Sequence, residues 1–249
     1  MEMMKLSLFL STLILTGLTL ANDRGGHYNF KYVKFFQSQA FAHSGGTGVI
    51  KGKVVYVGKR ELKNRRKLIT KDKEVCGRGY KIDKVYEVSE DGGVKNAVVF
   101  INGKGNSRKN KKVLVQEMCE FKPRVLSMEA GSVLEVVNKD SVKHEANGVQ
   151  DFETIFQLSQ HKKGMVDKVS LDKAGVVEVT CNIHGWMKAW VVVVEGTLHS
   201  VTDKRGEFLI KGVPAGKHKL KLWHEGFGEK EMVVNLKEGE VKSVVFELK

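Results

Sequence analysis

An all-β protein is predicted by three features of this 249-residue chain. Short runs rich in β-branched residues recur from residue 47 onward, clusters of Gly, Asn and Asp separate them, and no long stretch carries helical periodicity. Many short strands with turn signals between them read as β-sandwiches. Composition agrees: 41% of residues are hydrophobic and 29% charged, which suits a globular chain and excludes collagen, coiled coil and multispanning membrane protein. The length accommodates one large domain or two small ones.

Taken in order, residues 1–21 read as a secretory signal peptide, outside the fold. Lys5 precedes an almost unbroken apolar run at 6–20 that ends at the small residue Ala21 and is short for a spanning helix. An uncleaved anchor is the competing reading of that run. On the first reading the mature chain is exported, to the periplasm or beyond the cell. Residues 22–47 hold an aromatic-rich arm (Tyr28, Phe30, Tyr32, Phe35, Phe36) and a Gly/Ser-rich linker, and no element is assigned to them. Strands are expected at 49–57, 94–101, 132–138, 176–181 and 188–194. Asp91-Gly92-Gly93, Asn102-Gly103 and Asp172-Lys173-Ala174-Gly175 supply turns between them.

The net charge of +13 is unevenly placed. Residues 51–81 hold twelve Lys/Arg against three acids, and residues 104–112 add five with none, whereas 195–249 are nearly balanced. A basic surface attracts nucleic acid, anionic membrane or an acidic protein, and export makes nucleic acid the weakest of these. General solubilising charge on long loops is the alternative.

Three cysteines in an exported chain suggest one disulfide and one thiol with another task. Cys76 and Cys119 sit in loop-like contexts and are expected to pair. Cys181 ends a strand and opens Cys181-Asn182-Ile183-His184-Gly185-Trp186-Met187, which sets a thiolate, an imidazole and a thioether within seven residues. A second imidazole, His144, follows the strand and turn upstream. Two imidazoles and a thiolate with a weak thioether form the donor set of blue-copper sites: the sulfurs suit Cu(I), and the imidazoles still serve Cu(II). Zinc competes for Cys and His, but a thioether is a poor zinc ligand.

These residues carry a resemblance. Phe121-Lys122-Pro123, Gly131, Asn138-Lys139-Asp140 and His144, followed by Cys181-x-x-His184-x-x-Met187, make residues 113–194 similar to cupredoxins of the plastocyanin and amicyanin type. The resemblance implies a Greek-key β-sandwich and one type 1 copper, with His144, Cys181 and His184 equatorial and Met187 axial. It also implies single-electron transfer without substrate turnover. In that family the downstream His reaches the surface, so His184 is expected to pass electrons, and Trp186 beside it either joins the docking face or roofs the copper. Glu145 stands where the family commonly has Asn, so the redox potential is not carried over. His161 lies in the long 145–175 stretch and is read as an exposed loop residue.

The C-terminal part resembles a second family. Thr202-Asp203-Lys204-Arg205-Gly206-Glu207-Phe208 and Val213-Pro214-Ala215-Gly216-Lys217-His218-Lys219-Leu220 match turns of carboxypeptidase regulatory-like (transthyretin-like) modules, which are small β-sandwiches. The whole chain is similar to exported bacterial proteins of methylamine-utilisation type. The expected domains are therefore 1–21 signal peptide, 22–47 arm, 48–194 copper domain with core 113–194, and 195–249 accessory module. The strand at 48–57 has a second possible place, in the C-terminal module. The functional expectation is a copper electron carrier and not an enzyme, with an acidic redox partner such as a cytochrome or dehydrogenase. The alternative is a copper-binding or chaperone protein that uses the same ligands. After signal cleavage no stable membrane insertion is expected.

Overall fold

Alternating burial along β-branched runs sets the architecture. A computed structural model describes residues 46–103 and 109–249. The segment read as signal peptide, the arm as far as residue 45, and residues 104–108 lie outside the described residues. The elements are β1 (Thr47–Tyr56), β2 (Arg65–Leu68), the single-turn α1 (Lys73–Cys76), β3 (Tyr80–Asp83), β4 (Val98–Ile101), β5 (Lys111–Gln116) and β6 (Phe121–Lys122). Then follow β7 (Val125–Glu129), β8 (Ser132–Asn138), β9 (His144–Gln150), β10 (Glu153–Gln160), β11 (Val166–Leu171), β12 (Gly175–Cys181) and β13 (Lys188–Val194). The chain ends with β14 (His199–Val201), β15 (Glu207–Pro214), β16 (Gly216–His224), β17 (Gly228–Leu236) and β18 (Val241–Leu248). The protein is all-β, and no described helix is long and apolar enough to cross a membrane.

The first sandwich joins a five-stranded sheet, in the order β10-β9-β12-β13-β7, to a four-stranded sheet, β11-β8-β5-β6. Their inward residues share one apolar core, including Leu114, Met128, Leu134, Val136, Val177, Val179 and Val191. The second sandwich joins β15-β1-β18 to β14-β4-β16-β17 around Ile50, Val54, Val99, Phe208, Leu220, Leu222 and Phe246. Trp190 to Val194 is an unbroken apolar run because β13 is buried on both faces. Val191 and Val193 enter the first core, while Val192 and Val194 meet Val98 and Trp223 of the second sandwich.

This register takes the second of the two places open to the 48–57 strand, in the C-terminal module. β1 pairs antiparallel with β15 and parallel with β18, and β4 lies between β14 and β16. As the middle strand of its sheet, β1 has both edges paired with C-terminal strands and sends Ile50 and Val54 into their core. The turn before β15 depends on glycine. Gly206 has φ +75, and a Cβ there would lie 2.5 Å from the Val54 carbonyl oxygen, while Asp203 Oδ1 accepts from the N–H groups of Arg205 and Glu207.

Between β1 and β4 the chain leaves the second sandwich and crosses to the first. This excursion contains the two-stranded ribbon β2–β3, with α1 in its connection. Ile69 and Cys76 from it are buried in the first core.

Candidate metal centre

Strand register brings the first two predicted ligands together. β9 and β12 pair antiparallel with Cys181 opposite Ala146, so His144 at the start of β9 lies beside Cys181 at the end of β12. Both point into the core. The following loop supplies His184. It is tied to β9 by the Asn182 N–H donating to the Glu145 carbonyl at 3.0 Å, and it closes on itself with the Met187 N–H on the His184 carbonyl at 2.9 Å. The main chain thus ties the loop after Cys181 to β9 at Glu145.

The donor atoms converge. His144 Nδ1 is 3.0 Å from His184 Nδ1, and Cys181 Sγ lies 3.9 Å from the first and 3.7 Å from the second. A triangle with those sides has its circumcentre about 2.1 Å from each corner, close to ordinary metal–imidazole and metal–thiolate bond lengths. All three side chains are buried, with both histidines at 0% exposure. Met187 is buried in the same core at the end of the ligand loop.

Each histidine is held from its far side by a carboxylate. His144 Nε2 is 2.9 Å from Asp140 Oδ2, and His184 Nε2 is 2.8 Å from Asp72 Oδ2. A proton on each Nε2 satisfies these contacts and leaves both Nδ1 lone pairs aimed at each other and at the sulfur. Three donor atoms facing one point in this way suit a metal cation. Burial opposes ionisation of Cys181, but its contacts with His144 and His184, which donate when a ring Nδ1 carries a proton, and the backbone N–H groups of Glu145 and His184 bring its pKa down to about 5. Burial likewise opposes protonation of His184, yet the Cys181 sulfur and the Asp72 carboxylate raise its pKa above the ordinary value. Without metal, a proton can share the place a cation would take.

Neither carboxylate was anticipated as a partner of the site. Asp140 lies four residues before His144, in a turn organised by Asn138, whose Oδ1 accepts the Asp140 N–H at 2.8 Å. Asp140 also accepts the N–H groups of Met118 and Cys119 at 2.7 and 2.8 Å. Both residues have φ 54, a left-handed conformation that non-glycine residues seldom adopt and that Asp140 compensates. Asp72, at φ 48, comes from the connection between β2 and β3.

Cys76 and Cys119 are joined by a disulfide with 5.0 Å between Cα atoms, and both are buried. Their sulfurs lie within 4.8 Å of a ring nitrogen of His184. The excursion thus forms a cap over the ligand loop. That placement corrects the expected surface route: His184 has no exposed surface, and Trp186 is only 6% exposed. The Trp186 indole N–H donates to the Cys119 carbonyl at 3.0 Å, and its ring lies 5.1 Å from that of His184. Of its two expected places Trp186 takes the roof over the site. His161 lies outside the cluster, exposed beside Ser159.

No family model matches the chain, and no curated protein is similar to it at a significant level. Among solved structures, a copper-containing nitrite reductase from Thermus scotoductus is similar over 33% of this chain at 24% identity and a TM-score of 0.30. The match spans only 22% of that enzyme's length. Amicyanin from Paracoccus versutus is similar over 38% of this chain and 96% of its own, at 16% identity and a TM-score of 0.31. A purple cupredoxin from Nitrosopumilus maritimus matches 32% of this chain and 97% of its own, at 18% identity and a TM-score of 0.29.

Proposed function

We propose that this chain is an exported type 1 copper protein that carries single electrons between redox partners and turns over no substrate. His144, Cys181 and His184 would hold one copper, with Met187 as a weak axial thioether. The observation that carries this reading is the buried triangle of two Nδ1 atoms and one thiol sulfur, with a carboxylate on the far side of each imidazole. Copper bound there would supply a one-electron couple, Cu(I) and Cu(II). The chain's own residues do the rest. Asp140 and Asp72 fix the rings and keep the Nε2 protons, while Trp186 and the cap exclude water. Two soft sulfur donors with two imidazoles favour copper over zinc.

On this reading residues 113–194 supply a cupredoxin-type Greek-key sandwich, and the second sandwich is a carboxypeptidase regulatory-like module without chemistry of its own. Export, to the periplasm or medium, is supported by the apolar N-terminal run and by a buried disulfide, which persists in oxidising compartments. The basic segments 51–81 and 104–112 suit an acidic redox partner, and export makes nucleic acid the weakest candidate.

The test is the visible absorption and EPR spectrum after addition of one equivalent of Cu(II). An intense thiolate-to-copper band with narrow copper hyperfine splitting is expected, and Cys181→Ser is expected to abolish it while the fold persists. Tight Cu(I) binding without that band would replace electron transfer by copper handling. A Cys181→Ser protein that stayed blue would remove Cys181 from the site.

A further inference from the structure

The cap ribbon is built with its faces reversed. In a two-stranded ribbon successive side chains alternate sides, and the apolar side normally packs on the body of the protein. Here Lys67, Lys81 and Asp83 face the body. Asp83 pairs with Lys67 and Arg124, and Lys81 pairs with Glu120 and donates to the Met118 carbonyl. Leu68 and Tyr80, opposite each other across the ribbon, and Ile82 two residues along face solvent at 54%, 53% and 56% exposure. Arg66 lies over the Tyr80 ring at 4.4 Å, and Met118 beside the ribbon is 58% exposed. On this face and in the neighbouring connections, Arg66, Lys71, Lys73 and Lys84 have no ion-pair partner among the described residues.

We propose that the solvent-facing side of this ribbon is the docking surface for an acidic, one-electron redox protein. The inference rests on the electron-transfer reading above and gives its partner a place. His184 has no surface of its own, and the ribbon's connection supplies Asp72 to His184 Nε2. A partner approaching this end of the site therefore meets the ribbon first. An apolar centre with a Tyr–Arg pair, inside a basic rim, is the composition of a binding hot spot for a partner of opposite charge. A second copy of this chain would bring the same positive rim against itself, and an anionic membrane exchanges no electron.

The experiment uses the full chain, loaded with copper, and a strongly acidic c-type cytochrome as probe. Binding is measured by titration, and 15N-labelled protein maps the contact. Leu68→Ser/Tyr80→Ser/Ile82→Ser is expected to weaken binding about 10- to 30-fold, and Arg66→Glu about 10-fold. Val233→Ser/Val245→Ser, on exposed apolar positions of the second sandwich, should leave binding unchanged. An unaltered thiolate-to-copper band in each variant shows that the site and its fold survive. The proposal fails if the cytochrome does not bind the wild type, if the ribbon variants bind as tightly as wild type, or if the control loses as much. Loss of binding to phosphatidylglycerol vesicles alone would make the face a membrane contact, and loss of a dimer would make it a self-interface. Both results overturn the proposal. A wild-type protein without the band overturns electron transfer itself; a blue protein with silent ribbon variants overturns only the docking surface.

Discussion

Asp140 and Asp72 do similar work from different places in the chain. Asp140 is local: one carboxylate holds His144 Nε2 and the N–H groups of Met118 and Cys119, so the ligand and the disulfide turn share an anchor. Asp72 reaches His184 from 112 residues away, with no other ligand nearby in sequence. Hydrogen-bonded carboxylates of this kind set ring orientation and ligand basicity. Asp72→Asn is therefore expected to weaken copper affinity about 10- to 100-fold. Competition against a Cu(I) chelator measures this, and in metal-free protein the His184 Nε2–H resonance should lose its carboxylate-bonded shift. Unchanged affinity and an unchanged resonance would reduce Asp72 to a surface contact. The cluster of His144, Cys181 and His184 was legible because a thiol and an imidazole share one short loop, and the Asp-x-x-x-His spacing was there to be read. Nothing in the sequence around Asp72 points to His184, because the pairing exists only after the excursion folds back.

At the scale of elements, the cap is held by few apolar contacts. Ile69 and Cys76 enter the first core and Val75 is partly buried, while the ribbon itself is attached by ion pairs. The disulfide, closing a sequence separation of 43, then carries much of the cap's attachment. Cys76→Ala/Cys119→Ala is expected to cost about 2–4 kcal/mol in denaturant unfolding. The loss should be uneven. Amide protection at Ile69 and Cys76, whose N–H groups bond to Gly79 and Asp72 carbonyls, should fall far more than in β12. A uniform loss would mean that the cap and sandwich open as one unit. The ribbon escaped sequence reading because its pattern is inverted: Arg65-Arg66-Lys67-Leu68 reads as a charged loop when the apolar residues face out. The strands β10 and β11 were hidden in the same way. They are edge strands with exposed charged residues, and the 145–175 stretch looked like surplus length.

Beside the apolar contacts of β13, a charged and aromatic seam joins the two sandwiches. The Arg124 guanidinium donates to both oxygens of Glu225 at 2.5 and 2.7 Å and to Asp83 at 2.6 Å, linking the first sandwich to the second and to the cap. The Trp190 indole N–H adds a bond to Glu225 at 2.9 Å, and the Trp190 and Trp223 rings meet edge to face. Discontinuous pairing of β1 and β4 was only half legible, since strand pattern reveals a strand but not its neighbours. Next to Glu225 lies His224, wholly buried, accepting the Gly226 N–H on Nδ1 at 3.0 Å and lying near the Tyr86 and Phe227 rings. Burial foremost, then the Arg124 charge, lowers its pKa to about 4 against a partial opposing effect of the Lys95 backbone. The folded state therefore keeps this imidazole neutral where the unfolded chain would protonate it. Its contribution is complete above the unfolded value near 6.5 and is lost as pH falls toward 4, by on the order of 3 kcal/mol. Asp83, Asp203 and Glu231, whose pKa values are also lowered, weaken the fold at still lower pH, so a comparison with His224→Phe isolates the histidine. Urea midpoints at about pH 7 and about pH 4.5 should differ clearly in the wild type and much less in His224→Phe, whatever the variant loses at neutral pH through the unpaired Gly226 N–H. An equal drop in both proteins would place the acid sensitivity of the seam in its carboxylates.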